Sequence, residues 1–486
     1  MISRIKSPFR LLAALFVFAA WMTGNAGEPD SVKYVFLFIG DGLSMPQRMV
    51  TQEYLSRVEP GRELLINTLE NQAVTTTRAA DQFITDSAAS GTAIACGSKT
   101  LVGRLGVDAE GNALESVAEV AKKNGRKVGI VTSVSLDHAT PAAFYAHVAN
   151  RASYKDIAKA LVDSKFDYFG GACFLDEQGY TVGDKTVDVY TYAAENGYKV
   201  TRDIESFNEL KAGETQPVIC VAERVDSGSL PYAVDMNDRD ITLAQFTQKA
   251  VDLLDNPNGF FIMVEGGKID WACHANDAGT VLHEVIAFDD AVRVAYDFAQ
   301  QHPDETLIVV TGDHETGGLT LGFAGTAYDS HIELLQNQVG SLNAFYAQYT
   351  KLRDEKGKDK ITFDDVKPLI TEFYGLNFTS DDPNDPMLLT DIEQATLEQA
   401  FDRSNGRGSY AGSEDARILY GGYDPLAMAL NHMVANKASV SWSSYAHTAL
   451  PVLTSAYGEE ADEFTALIDN TDIAKTLKQI VGPVNE

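Results

Sequence analysis

The sequence predicts an α/β protein in which a doubly wound, mostly parallel central sheet is flanked by helices. Short runs rich in Val, Ile and Phe alternate with helix-length amphipathic segments, and the clearest runs are residues 35–39, 128–131, 260–264 and 307–310. Runs that are apolar throughout are typical of parallel strands covered by helices on both faces. Polar side chains follow each of the four runs, as expected where ligands bind at the carboxyl ends of parallel strands.

Length and composition indicate a globular, exported protein. The 486 residues are 45% hydrophobic, which is enough apolar material for one large core or two modest ones. Arg4, Lys6 and Arg10 precede an apolar run at residues 11–22 that is too short to span a bilayer comfortably. We therefore expect residues 1–26 to be a signal peptide and the mature protein to be periplasmic or extracellular; an uncleaved membrane anchor is the alternative.

The net charge excludes two classes of partner. A formal charge of -30 repels nucleic acid and anionic membranes. No second apolar stretch reaches membrane length, so stable membrane insertion is not expected.

Four cysteines in an exported chain permit two disulfides, although the spacing fixes no pairing. Cys173 and Cys220 are the expected bridge, because both lie away from the polar motifs. Cys96 and Cys273 lie beside those motifs and are interpreted as small buried packing residues.

The polar side chains that follow the four runs point to a single site. In chain order they are Asp41, His138 with Thr140, Glu265, and Asp313 with His314. One acidic residue after a strand is usually a turn residue or a helix cap. Four such placements are better explained by one ligand site at the carboxyl edge of the sheet.

Ser87 is a candidate nucleophile. Small, helix-compatible residues follow it, and Gly97 is a natural helix stop, so a helix should begin at Ser87. The free N–H groups and dipole at a helix N-terminus stabilise an alkoxide and the phosphate that it attacks. The alternative is that Asp86 or Ser87 only caps the helix.

Two further motifs carry candidate metal ligands. Asp270 and His274 lie four residues apart, so on a helix both side chains leave the same face, although such a pair is often only a solvated surface pair. Asp313 and His314 lie between glycines that allow the backbone to approach a metal closely. His447, near the C-terminus, is by itself more typical of a partly buried, hydrogen-bonded histidine.

Residues 329–431 differ in sequence pattern from the rest of the chain. They contain helical patterns, including one that Thr362 could cap, separated by turn-rich breaks. We interpret them as a mostly helical insertion, either a lid or a subunit contact, between two parts of a catalytic core at residues 27–328 and 432–486. A solvated cap without such a role is the alternative.

Together, these motifs resemble the signature set of the alkaline phosphatases, in the order that family shows. The resemblance covers most of residues 31–325, resumes around His447 and leaves the insertion uncovered. It implies a homodimeric, metal-dependent phosphomonoesterase that passes through a covalent phosphoserine at Ser87. Because the negative surface also repels phosphate esters, such an enzyme needs local positive charge, which bound divalent metals supply.

The resemblance also implies a role for each residue of the site. One Zn²⁺ would be held by Asp270, His274 and His447, and a second Zn²⁺ by Asp41, Asp313 and His314. A third site, for Mg²⁺, would use Asp41, Thr140 and Glu265. Arg151 would bind two non-bridging phosphate oxygens with its planar guanidinium.

Two positions depart from the best-known bacterial pattern of the family. His138 stands where that pattern has Asp, and Trp271 stands where it has Lys, so contacts around the third metal and the phosphate are expected to be looser.

A phosphodiesterase or sulfatase of the same superfamily is an alternative, but Ser87 lacks the sulfatase context and related diesterases generally lack a counterpart of Arg151. A zinc-dependent phosphate-binding protein without catalysis is the remaining alternative.

Overall fold

The computed structural model describes residues 32–407 and 412–483, so the predicted signal peptide lies outside the described residues. Within this part of the chain sixteen strands form: β1 (Tyr34–Gly40), β2 (Asn71–Thr76), β3 (Lys127–Thr132), β4 (Tyr168–Gly171), β5 (Tyr180–Val182), β6 (Lys185–Val187), β7 (Lys199–Thr201), β8 (Val218–Val221), β9 (Phe260–Gly266), β10 (Thr306–Gly312), β11 (Glu315–Thr316), β12 (Thr320–Leu321), β13 (Val440–Ser441), β14 (His447–Thr448), β15 (Val452–Gly458) and β16 (Ala466–Asp469).

The helices of the same residues fall between these strands. They are α1 (Met45–Val58), α2 (Ser87–Cys96), α3 (Val117–Lys123), α4 (Ala139–Ala142), α5 (Tyr154–Ser164), α6 (Val189–Glu195), α7 (Ile204–Glu209), α8 (Leu243–Leu254), α9 (Lys268–His274), α10 (Ala278–Ala299), α11 (Leu342–Lys356), α12 (Phe363–Tyr374), α13 (Asp391–Ser404), α14 (Gly412–Tyr420), α15 (Pro425–Lys437) and α16 (Asn470–Val481).

Ten strands form one central sheet in the order β16-β2-β15-β10-β1-β9-β3-β4-β8-β7. Every neighbouring pair is parallel except the two made by β15, which runs antiparallel to β10 and β2. The prediction of a mostly parallel sheet is therefore confirmed. The four apolar runs become β1, β3, β9 and β10, which are neighbours at its centre.

Both faces of the sheet are buried, which explains why its central strands are apolar throughout. In β1, Phe36 and Phe38 belong to one apolar cluster, while Val35 and Leu37 belong to the other. Successive side chains of a strand point to opposite faces, so each cluster receives every second residue. Helices α8 and α10 cover the first face, and α2, α3, α5 and α16 cover the second.

The register of the central strands places their carboxyl ends at one level. Gly40 at the end of β1 pairs with Gly266 of β9 and with Gly312 of β10. In the same register, Thr132 of β3 pairs with Glu265. The residues that follow these strands therefore leave the sheet side by side.

The segment at residues 329–431 contains α11 to α14 and the first part of α15. Thr362 caps α12 as expected, because its side chain accepts a hydrogen bond from the Asp365 N–H. Helix α15 contacts α10 of the sheet layer as well as α11, α12 and α13. The division of the chain into a core and an insertion stays a prediction.

The predicted disulfide is wrong, because all four cysteines are buried free thiols. Cys220 lies in β8 and pairs with Gly170 of the neighbouring strand β4. Cys173 lies three residues beyond Gly170, which at about 3.3 Å per residue is too far along the strand direction for a disulfide. The Cys173 thiol instead lies 3.6 Å from the Gly228 carbonyl oxygen.

In the described part of the chain, no helix combines the length and the apolar character needed to cross a membrane.

The aromatic packing behind β1 gives a test of this core. Phe36 is fully buried, and its ring lies 5.0 Å from that of Phe260 and 5.8 Å from that of Phe298. Phe36→Ala should lower the free energy of unfolding by about 3–5 kcal/mol, because it leaves a cavity between rigid neighbours. Chemical denaturation measures this. The control Phe83→Ala removes a ring that is 74% exposed and should change stability by less than about 0.5 kcal/mol; equal effects would contradict the packing described.

Candidate active site

Asp41, Asp313 and His314 meet at the carboxyl ends of β1 and β10. All three are fully buried. The His314 Nε2 lies 3.4 Å from a carboxylate oxygen of Asp41 and 3.4 Å from one of Asp313. The Gly42 N–H donates to the other Asp313 oxygen at 3.1 Å and fixes that carboxylate. These three side chains form a compact set of potential metal ligands.

Helix α9 adds a second set of ligands beside the first. Asp270 and His274 leave the same face of this helix, and the His274 Nε2 lies 3.3 Å from an Asp270 oxygen. The His447 Nε2 lies 3.5 Å from the other Asp270 oxygen and 3.2 Å from the His274 Nε2. Although His447 is distant in sequence, its ring stacks on that of His314 with centroids 3.6 Å apart.

A third set lies on the β3 and β9 side of Asp41. The Thr140 hydroxyl donates to an Asp41 oxygen at 3.4 Å. Glu265 is fully buried and accepts a hydrogen bond from the Thr132 hydroxyl. The His138 Nδ1 lies 3.9 Å from the Glu265 Oε1, so His138 joins Asp41 and Glu265 in one possible metal site. The structure thus adds an imidazole to the ligands that the resemblance implies there.

The close approach of Asp41 and Asp270 depends on a glycine. Gly42 has a positive φ of 73°, and a Cβ at this position would lie 2.8 Å from the Asp270 Cα. Any other residue would be strained and would push α9 away from the end of β1. Gly42 therefore lets the first two sets of ligands share one centre.

The pKa shifts show strong repulsion between the carboxylates. Burial and the charges of Asp313 and Asp270 raise the pKa of Asp41 well above its usual value, and burial and Asp270 do the same for Asp313. Burial also disfavours the charged form of Asp270, but His274 and His447 lower its pKa well below the usual value. Burial alone would lower the pKa of His274, but the charge of Asp270 and its hydrogen bond to His274 raise this pKa to about 9.

Divalent cations fit this cluster. One polar atom each of Asp41, Glu265, Asp313 and His138 is buried without a hydrogen-bond partner. Unpaired buried carboxylate oxygens are costly unless a cation or a donor faces them. Carboxylate oxygens with imidazole nitrogens suit zinc, and the more oxygen-rich set around Asp41, Thr140 and Glu265 suits magnesium.

Ser87 is the first residue of α2 and lies next to the ligand cluster. Its Oγ is 3.2 Å from the His314 Nε2. Asp86 is the N-cap, and its side chain accepts from the Ala89 N–H at 3.0 Å. Gly97 ends the helix in the left-handed conformation, so the predicted start and end of this helix are both confirmed.

Arg151 is held beside Ser87 by the same cap. Its Nη1 donates to the Asp86 Oδ2 at 3.0 Å, and its Nη2 lies 3.5 Å from the His138 Nε2. Both Asp86 oxygens accept from the Gly103 N–H at 3.2 Å, while the Arg151 N–H donates to the Gly103 carbonyl oxygen. Asp86 therefore positions both the helix that carries Ser87 and the guanidinium of Arg151, which line the same cleft.

A small antiparallel pair brings His447 to the site. Strand β11 follows His314 and pairs with β14, which begins at His447. Glu315 accepts hydrogen bonds from the Gln47 amide at 2.9 Å and from the Thr448 hydroxyl. The His447 Nδ1 is 2.9 Å from the Thr85 carbonyl oxygen, two residues before Ser87. His447 is thus tied both to the metal ligands and to the nucleophile loop.

The site opens into a cleft of about 450 Å³. Ser87 and Arg151 lie on its wall together with Asp270, His274 and His447. Trp271 also lines it, and the Trp271 ring makes an edge contact with His138 at a centroid distance of 6.1 Å. A nucleophile, a guanidinium and the metal ligands therefore share one solvent-connected space, which suits transfer of a phosphoryl group.

A sequence profile described as alkaline phosphatase matches residues 32–173 and 176–482. The chain belongs to the alkaline phosphatase family. Among family relatives, alkaline phosphatase 4 of Bacillus subtilis is 29% identical, and the alignment covers 93% of this chain and 90% of that protein. The repressible alkaline phosphatase of Saccharomyces cerevisiae is 27% identical, with 90% and 78% covered.

Solved structures of the family share the fold. The cold-active alkaline phosphatase from Shewanella sp. superposes with a TM-score of 0.74 at 26% identity, covering 93% of this chain and 100% of that one. The alkaline phosphatase of Thermus thermophilus gives a TM-score of 0.74 at 25% identity, covering 97% and 96%.

Some residues that shape the site were not among the sequence-based candidates. Asp86 was interpreted as a possible cap, but it also anchors Arg151. Glu315 directly follows Asp313 and His314, and this position next to two candidate ligands was a usable indication. Tyr232, Asn343 and Tyr423, which line the cleft, stood outside every motif, so the sequence offered no indication of them.

The cluster should depend on divalent cations for stability. Chelation would leave the carboxylates of Asp41, Glu265 and Asp313 repelling one another in a buried space. We expect EDTA treatment to lower the Tm, since a cation at about 100 times its Kd contributes about 2.7 kcal/mol per site. Calorimetric scans before and after chelation measure this, and adding Zn²⁺ and Mg²⁺ should restore the Tm. An unchanged Tm in a protein shown to be metal-free would contradict cation binding at this cluster.

Proposed function

We propose that this alkaline phosphatase hydrolyses phosphate monoesters through a covalent phosphoserine at Ser87. The observation that supports this proposal most strongly is the position of Ser87. Ser87 lies at the N-terminus of α2 and on the wall of an open cleft, and its Oγ is 3.2 Å from the Nε2 of His314 in the buried carboxylate cluster. The family is one of phosphoric monoester hydrolases, so the products are an alcohol and inorganic phosphate.

We infer that two Zn²⁺ and one Mg²⁺ are the resident cations. One zinc would be held by Asp270, His274 and His447, the second by Asp41, Asp313 and His314, and the magnesium by Asp41, Thr140 and Glu265. His138 lies between the proposed magnesium site and Arg151. Its Nδ1 is 3.9 Å from the Glu265 Oε1, and its Nε2 is 3.5 Å from the Arg151 Nη2. When bound, such cations lower the pKa of a nearby hydroxyl and neutralise the charge that develops on phosphate.

The chain positions the reacting groups in the first half-reaction. The Ser87 hydroxyl loses its proton and the Oγ bonds to phosphorus. The bond between phosphorus and the ester oxygen breaks, and the released oxygen takes up a proton and leaves as the alcohol. Backbone N–H groups in the first turn of α2 favour the negative charge on the phosphoryl oxygens. In the second half-reaction, water gives up a proton and its oxygen bonds to phosphorus, the bond between phosphorus and the Ser87 Oγ breaks, the Oγ takes up a proton, and inorganic phosphate is released.

Arg151 supports a preference for monoesters over diesters. Its guanidinium is oriented by Asp86 and lies on the wall of the same cleft. A planar guanidinium can donate two parallel hydrogen bonds to two non-bridging oxygens. A monoester dianion offers more charge and more free oxygens for this contact than a diester does, which disfavours the phosphodiesterase alternative.

We propose, in addition, that the protein is exported and works as a homodimer in the periplasm or outside the cell. The basic and apolar pattern of residues 1–26 supports export. The family resemblance supports the homodimer.

Replacing the nucleophile tests the proposed function. Ser87→Ala should lower the turnover of p-nitrophenyl phosphate by about 10³-fold or more, because no other group takes over the covalent step. Its zinc content, measured by elemental analysis, should stay unchanged. The wild type should form an acid-stable phosphoserine at Ser87 and should hydrolyse the monoester faster than bis(p-nitrophenyl) phosphate.

Ser98→Ala is the matched control, because Ser98 follows the same helix but does not line the cleft. It should keep full turnover. The nucleophile assignment would be refuted if Ser87→Ala retained more than a small fraction of wild-type turnover with its metals in place.

A further inference from the structure

The cleft extends beyond the groups that the reaction needs. Its volume of about 450 Å³ falls in the range of about 300–1,000 Å³ that is typical of pockets for drug-sized ligands. Trp271, Tyr232 and Tyr423 line it together with Asp270 and His274. We call these three rings the aromatic wall, and three aromatic side chains bordering an open cleft make a surface suited to a bulky, apolar part of a substrate.

A buried cation fixes two of these rings. The Lys268 Nζ lies 3.5 Å from the centroid of the Tyr232 ring and 5.0 Å from that of Trp271. The same ammonium donates to the Ser229 hydroxyl at 2.8 Å, and Lys268 is fully buried. Because a cation over an aromatic face is attracted to it, Lys268 holds this part of the wall in place.

The third ring comes from a different part of the chain. Tyr423 lies between α14 and α15, in the segment interpreted as an insertion. Burial and the charge of Asp270 raise the pKa of Tyr423 to about 12, so its hydroxyl stays neutral. Asn343 of α11 lines the same space, and its amide donates to the Asp226 carboxylate at 2.9 Å.

The position of the wall indicates which part of the substrate it contacts. Ser87 and Arg151 bind the phosphoryl group, and Trp271 lies next to His138 beside Arg151. Tyr232 and Tyr423 line the same cleft. Because the substrate enters this cleft, the alcohol that leaves occupies space that these rings border. Accepting the proposed function, we propose that Trp271, Tyr232 and Tyr423 form a binding site for a neutral, planar aromatic leaving group, such as the nucleoside of a nucleoside monophosphate.

The charge of Lys268 disfavours the other ligand that aromatic walls commonly bind, a quaternary ammonium. One face of Tyr232 is already occupied by an ammonium, and the same charge lies near Trp271. An organic cation placed against these rings would be repelled by Lys268 and by Arg151 on the cleft wall. A neutral base meets no such repulsion and can stack on the rings, with Asn343 available for polar contact.

Two substrates that differ only in the base test this inference. Adenosine 5′-monophosphate and ribose 5-phosphate carry the same phosphorylated primary alcohol, so their intrinsic reactivity is matched. We expect kcat/KM for the nucleotide to exceed that for ribose 5-phosphate by about tenfold or more, since stacking of one base on aromatic side chains contributes about 1–3 kcal/mol. Phosphocholine should be no better a substrate than ribose 5-phosphate.

Variants of Tyr423 test whether the aromatic wall causes the preference for the nucleotide. Tyr423→Ala should reduce the ratio of kcat/KM between the two substrates by about tenfold, whereas Tyr423→Phe should preserve it because the ring remains. Tyr346→Ala is the control, since Tyr346 lies exposed on α11 and does not line the cleft, and it should leave the ratio unchanged. In a Ser87→Ala background, calorimetry should show the same loss in affinity for the nucleotide when Tyr423 is also replaced by alanine.

Several results would overturn the inference. Equal kcat/KM for the nucleotide and ribose 5-phosphate in the wild type would do so without any variant, as would a preference for phosphocholine. An unchanged ratio in a folded Tyr423→Ala protein would also do so. In each of these cases phosphate release continues and the proposed function stands. Failure to hydrolyse any of the three esters would overturn both.

Discussion

Four acidic side chains are buried within a few ångströms of one another, and the remaining structure of the site follows from that constraint. Asp41, Glu265 and Asp313 are brought together because β1, β9 and β10 end in register, and Asp270 is added by the helix after β9. Carboxylates at this density repel one another when buried, as the raised pKa of Asp41 shows. The histidines relieve part of the repulsion, and bound cations would relieve the rest.

The central sheet and the elements around it hold the side chains of the site in fixed positions. The central strands are buried on both faces, so their ends move little relative to one another. Ser87 stands on a helix that packs against α16 and α4, and its cap also binds Arg151. His447 arrives on a two-residue strand that pairs with the residues after His314. Nucleophile, phosphate-binding group and ligands are thus each supported by a second contact.

The sequence was sufficient for the parts of the fold that rest on local patterns. Continuous apolar runs identified the central strands, and the spacing of Asp270 and His274 correctly placed them on one helix face. The meeting of His447 with Asp270 depends on long-range pairing, so it was reached through a family resemblance and not through any local pattern. The Cys173–Cys220 disulfide was wrong because strand register, which the sequence does not show, separates the two thiols. Tyr423 and Asn343 were missed for the same reason, since only the folded chain brings them to the cleft.

Anomalous diffraction from crystals of the metal-loaded protein tests the central claim most directly. The proposed pair of zinc sites predicts anomalous zinc peaks within bonding distance, about 2.0–2.2 Å, of Asp270 with His274 and His447, and of Asp41 with Asp313 and His314. Both peaks should lie next to the Ser87 Oγ. Peaks located elsewhere, or an electron-density map in which His447 lies far from Asp270, would contradict it.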